Sequence, residues 1–180
     1  MNPFNRCNPT GRLARPIALV ALLVLGAPLA AHEKEPVYTM TVIVDAAHGG
    51  KVAAGKYERA IERITARKST RNAYSKQTNL CVAYTKTGAL EKATEACEEA
   101  LAIVLDGADT RDALASTTQS AKIDRRYLAL ALSNLGVLHA AKGSTDVARR
   151  NFREALALDS GLSAPKINLA RLARDKTPNV

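Results

Sequence analysis

The sequence predicts an all-α fold built from repeated antiparallel helix pairs, and three observations carry that prediction. Ala and Leu dominate a chain that is 47% hydrophobic, only 4% aromatic and without Trp, which suits close-packed aliphatic helices. β-Branched residues run together mainly at residues 41–44, so little of the chain favours strands. A tripeptide of Asn, Leu and a small residue also recurs, as Asn79-Leu80-Cys81, Asn134-Leu135-Gly136 and Asn168-Leu169-Ala170. The last two copies stand 34 residues apart and the first two 55, which is 34 plus an insert of 21.

In chain order, residues 1–31 read as an export signal. Arg6, Arg12 and Arg15 precede a short apolar run over 16–29, and Ala30-Ala31 offers small residues for cleavage. That run is shorter than the roughly 20 residues needed to span a bilayer. Cleavage near Ala31 is expected to send the mature chain to the periplasm or outside the cell, with no stable membrane insertion afterwards. Removing three arginines and no acids leaves 23 basic and 17 acidic residues, net +6. So modest a charge gives no reason to expect a nucleic-acid partner.

Residues 32–53 are expected to be extended, with β-branched residues at 41–44 and a helix-breaking Gly49-Gly50. Residues 54–73 read as a degenerate half-repeat, because Gly55, Ala60 and Ile64 precede Gly88, Ala93 and Cys97 by 33 residues each. Residues 74–107 form repeat one and 124–162 repeat two. In both, a glycine (Gly88, Gly143) ends the first helix, where the left-handed conformation favours it. Ala93 and Ala148 then lie twelve residues after the small residue of the tripeptide, letting two antiparallel backbones approach closely. Residues 108–123 are polar and read as a surface loop. Residues 163–176 open on Ser163-Ala164-Pro165, a helix start, and would cap the stack.

These residues together resemble the tetratricopeptide repeat (TPR). Repeat two supplies Leu132-x2-Leu135-Gly136-x2-His139, then Ala148-x3-Phe152, then Ala155. Repeat one supplies Gln77-x2-Leu80-Cys81-x2-Tyr84, then Ala93-x3-Cys97, then Ala100, departing at Gln77, Cys81 and Cys97. The resemblance covers 54–174 and implies a short right-handed helical solenoid of antiparallel helix pairs with a C-terminal capping helix. It also implies a concave groove that binds an extended peptide or a helix of another protein. Matching offsets place Thr78, Val82, Thr85, Lys86, Ser133, Val137, Arg171 and Arg174 on that groove, the two arginines inviting an acidic segment.

Cys81 and Cys97 both fall where the repeat faces its inter-helix seam. Two readings stay open for them: small buried core residues, or a disulfide formed after export. No phosphate loop, G-x-S-x-G or H-E-x-x-H occurs. The expectation is therefore a non-enzymatic scaffold or adaptor, with no cofactor and no metal site. The alternative is a structural accessory protein that self-associates through the extended segment at 38–44, as a homodimer.

Overall fold

The computed structural model describes residues 38–66, 72–112 and 118–174. The export signal, its cleavage near Ala31 and the chain beyond Arg174 lie outside the described residues, all of which belong to one compact unit, Glu35–Val180. Among them are seven α-helices and no strand: α1 Gly49–Ala53, α2 Tyr57–Thr65, α3 Ala73–Thr87, α4 Leu90–Asp112, α5 Thr118–Ala141, α6 Thr145–Leu158 and α7 Ser163–Arg174. The chain is all-α in this region.

Three of the helix ends are the same device. Gly55, Gly88 and Gly143 take φ of 71°, 76° and 77°, a left-handed conformation that costs glycine little. After α3, the Ala89 N–H reaches the Tyr84 carbonyl (3.0 Å) and the Gly88 N–H reaches Thr85 (3.3 Å). After α5, Ser144 reaches His139 (2.8 Å) and Gly143 reaches Ala140 (3.0 Å). After α1, Lys56 reaches Lys51 (2.9 Å) and Gly55 reaches Val52 (3.0 Å). Each pair of bonds satisfies carbonyls that the helix end would otherwise leave open, in the Schellman pattern.

That third turn corrects the reading of residues 32–53 as wholly extended. Gly49-Gly50 opens a single helical turn, α1, which stands to α2 as α3 stands to α4. A helix this short draws its stability from packing rather than propensity. Gly49 and Val52 supply it, both buried. The insert at 108–123 is corrected as well, because helix takes most of it: α4 runs to Asp112 and α5 begins at Thr118. Its polar composition reads as a loop, and a helix satisfies the same backbone groups internally that a loop leaves to water.

Each helix packs on its sequence neighbour, and α1·α3, α3·α5 and α5·α7 also touch. Among the described residues no such contact joins α2 to α4 or α4 to α6. The odd-numbered helices thus form one continuous layer, with the even-numbered ones packed against it. Two apolar clusters fill the space between. One gathers Val52, Ile64, Leu80, Cys81, Ala93, Cys97 and Leu138, the other Tyr38, Val137, Ala148, Phe152 and Leu172. Met40 packs against both.

Gly136 sets the α5–α6 approach, since a Cβ there would stand 2.6 Å from a Phe152 ring carbon. Phe152 is fully buried, so the ring has no room to retreat. Gly136→Ala is expected to lower stability by about 1–3 kcal/mol through overpacking, read by urea denaturation. Full stability in that variant would show that the α5–α6 seam is looser than the contact implies.

Candidate functional site

The layer of α3, α5 and α7 carries one repeated polar feature. Asn79, Asn134 and Asn168 project from these helices, and none is more than 1% exposed. Asn is a poor helix-interior residue because its side chain competes for backbone hydrogen bonds, so burying three of them needs partners. The partners come from the main chain at residues 39–47.

Thr39 N–H donates to Asn168 Oδ1 and Asn168 Nδ2 donates to the Thr39 carbonyl, both at 2.8 Å. Thr41 N–H donates to Asn134 Oδ1, and Asn134 Nδ2 donates back to the Thr41 carbonyl, again both at 2.8 Å. Ile43 N–H donates to Asn79 Oδ1 at 2.9 Å, and Asn79 Nδ2 donates to the Ile43 carbonyl at 3.0 Å. Asn79 Nδ2 also reaches the Ala46 (2.9 Å) and Ala47 (3.4 Å) carbonyls. Every second residue is held through both backbone groups, which is the alternation of an extended chain. The segment therefore runs from α7 to α3, opposite to the order of the helices.

Spacing explains the fit. Two extended residues rise roughly 6.5–7 Å, whereas packed helix axes lie about 8–10 Å apart. The asparagine side chains bridge that difference between helix and segment. The other period of the segment points into the protein: Tyr38 is buried beside Phe152 and Leu172, and Met40 and Val42 pack on the clusters. At the far end Lys86 Nζ donates to the Tyr38 carbonyl (2.8 Å) and Arg171 Nη1 to Thr39 Oγ1 (3.2 Å). Burial, then the nearby Arg171 charge, pushes the Lys86 ammonium below its ordinary pKa.

Hydrogen bonding and apolar burial both contribute to holding the segment. Six amide hydrogen bonds contribute roughly 3–9 kcal/mol net, while fixing six backbones costs roughly 6–12 kcal/mol. Partial burial of Tyr38, Met40 and Val42 adds roughly 3–6 kcal/mol, and the bonds from Lys86, Arg171 and Asn79 to residues 38, 39, 46 and 47 add to the hold.

Of the groove residues expected from the sequence, Lys86 and Arg171 bond to the segment, and Val82 and Val137 share apolar clusters with Met40, Val42 and Tyr38. Thr78 and Ser133 each precede a ladder asparagine by one residue, and Val82 and Val137 each follow one by three. All four are buried, at 1%, 0%, 3% and 2% exposure. Thr85 is half-buried and donates through Oγ1 to its own helix at the Cys81 carbonyl (2.7 Å). Lys86 and Arg171 touch the segment, and Arg174 is exposed. The face that presents the three asparagines is thus covered from within the same chain.

The asparagines themselves were used in the sequence only to mark the repeat. The signal of their role was their burial-prone setting, a polar residue recurring beside buried Leu80 and Leu135 at one offset. Cys81 and Cys97 are joined as a disulfide between α3 and α4, with Cα atoms 4.8 Å apart. Among the described residues, no group of three or more His, Cys, Asp or Glu is placed to hold a metal ion. No helix there is long and apolar enough to cross a membrane. No family model, curated protein or solved structure matches this chain.

Proposed function

We propose that this chain is a non-enzymatic interaction scaffold of TPR type, exported to the periplasm or beyond, whose short groove binds an extended segment of another protein. The observation that carries the reading is the asparagine ladder. Three side chains at repeat-related positions grip main chain at residues 39, 41 and 43, so the grip depends on backbone conformation more than on side-chain identity. Helix pairs closed by equivalent glycine turns, and odd-numbered helices in one layer, support a solenoid of two full repeats, a short leading pair and a cap. The leader pattern at residues 1–31 supports export.

The test is binding in trans. A fluorescein-labelled peptide of residues 36–48 is titrated into the full chain and into its Thr39→Pro/Thr41→Pro variant. Those prolines remove the N–H groups that Asn168 and Asn134 accept, and so empty the groove. The variant is expected to bind the peptide about tenfold or more tightly than the wild type, because each lost bond contributes about 1 kcal/mol. Absence of binding to the variant, or equal binding of a peptide carrying the same two prolines, would overturn the reading.

A further inference from the structure

The geometry points to a second copy of this chain as a ligand of the groove, with residues 38–43 exchanged between two copies. The inference rests on reading the groove as a peptide site, and it names the partner. Complementarity is already demonstrated within the molecule: Asn79, Asn134 and Asn168 fit the main chain of residues 39–43, and the pocket around Phe152 and Leu172 fits Tyr38. The same segment from another copy would make the same contacts, the condition for domain swapping.

What decides whether exchange occurs is the connection to α1. Residues 44–48 join the segment to Gly49, with Val44 and Asp45 exposed. Opened, five residues reach about 17 Å. Closed, they make a tight turn in which the Gly49 N–H donates to the Ala46 carbonyl (2.9 Å). Its two central residues, Ala47 and His48, have φ of 46° and 57°. A turn with both central residues left-handed normally takes Asn-Gly or Gly-Gly, and here neither residue is Gly or Asn. Such strain persists only where surroundings enforce it, and Asn79 does so by donating to the Ala46 and Ala47 carbonyls. Opening the turn gives up those two bonds and releases both strained residues.

Relief of the turn therefore favours exchange, and the paired bonds at residues 39, 41 and 43 are all remade by the partner's segment, so that only Asn79's two bonds to the turn are given up. Gly49 makes the closed form tight as well, because a Cβ there would overlap the Ile43 carbonyl. In the exchanged dimer the residues 44–48 cross between copies, and each groove is completed by residues it does not carry.

Complementation tests this directly on full chains. One variant, Thr39→Pro/Thr41→Pro, keeps the ladder and spoils the segment. The other, Asn134→Asp, keeps the segment and spoils the ladder by facing the Thr41 carbonyl with a carboxylate. Light scattering after size exclusion is expected to show each variant alone as a monomer and the mixture as a 1:1 complex. For the wild type, a dimer fraction rising with concentration is expected, and Ala47→Gly should lower it about fivefold or more by relaxing the closed turn. Circular dichroism confirms that each variant is helical before mixing. With Asn168→Asp as a second ladder variant, a misfolded Asn134→Asp does not end the test. A mixture that stays monomeric with both ladder variants would overturn the proposal. If the labelled peptide of residues 36–48 nevertheless binds the proline variant, the peptide site stands and only the exchange between copies is wrong.

Discussion

Asn79→Ala is expected to be the most damaging of the three ladder substitutions, lowering unfolding free energy by about 3–5 kcal/mol. Truncation leaves the Ile43 N–H and the Ile43 and Ala46 carbonyls without the partner they have now, and each orphaned buried group costs about 1–3 kcal/mol. Access of water through the exposed neighbours Val44 and Asp45 keeps the total below the simple sum. Asn134→Ala removes two bonds and Asn168→Ala two more at the outer end of the segment. The expected order of cost is therefore Asn79, then Asn134, then Asn168.

The near-isosteric Asn79→Asp separates hydrogen bonding from packing. It keeps the acceptor for the Ile43 N–H but turns a carboxylate towards three carbonyls, so its loss should match or exceed that of Asn79→Ala. Urea denaturation of the set gives the ranking. Three losses below about 0.5 kcal/mol, in the range of ordinary surface substitutions, would mean that the ladder is incidental to holding residues 39–43.

Helix ends and helix pairs were legible in the sequence because they rest on local chemistry. Gly88 and Gly143 announced their turns by residue type alone, and the 55-residue offset tied them together. Elements that depend on tertiary context were less legible. The turn of helix at Gly49–Ala53 contradicts the propensity of Gly49-Gly50; it exists because Gly49 alone can approach the Ile43 carbonyl. The insert at 108–123 is rich in Asp, Ser and Thr, residues whose side chains compete with helix for backbone hydrogen bonds, so local propensity hid its helix. The ladder was hidden for a third reason. Its two halves lie 36 to 129 residues apart, and no local rule links a β-branched run at 41–44 to asparagines on three helices. Thr78, Val82, Ser133 and Val137 were placed by offset on the same side of their helices. That Val82 and Val137 would pack in clusters with Tyr38, Met40 and Val42 could not be read without knowing that the chain folds back across α3, α5 and α7.

Removing the Cys81–Cys97 bond is the second large effect, and it acts through the unfolded chain. The cysteines are 16 positions apart, and a loop of this size is worth about 3 kcal/mol in the chain-entropy account. Both residues are 1% exposed within the first apolar cluster, so Cys81→Ala/Cys97→Ala leaves small apolar groups in place and opens little cavity. The double variant is expected to lose about 3 kcal/mol in urea, with a larger m-value because its unfolded state is less constrained. Wild-type protein treated with reductant should move the same way, and the variant should not respond to reductant at all. The consequence reaches the asparagine ladder, because Cys81 lies two residues after Asn79 on α3 and the bond fixes that helix against α4. Because Asn79 on α3 anchors one end of the segment, loosening α3 should release it before the helices unfold. Faster amide exchange at Ile43 and Thr41 in the double variant, under conditions where α5 and α6 remain protected, is the expected sign. Exchange that accelerates uniformly across the chain would instead show the bond stabilising the fold as one unit, with no separate hold on the ladder.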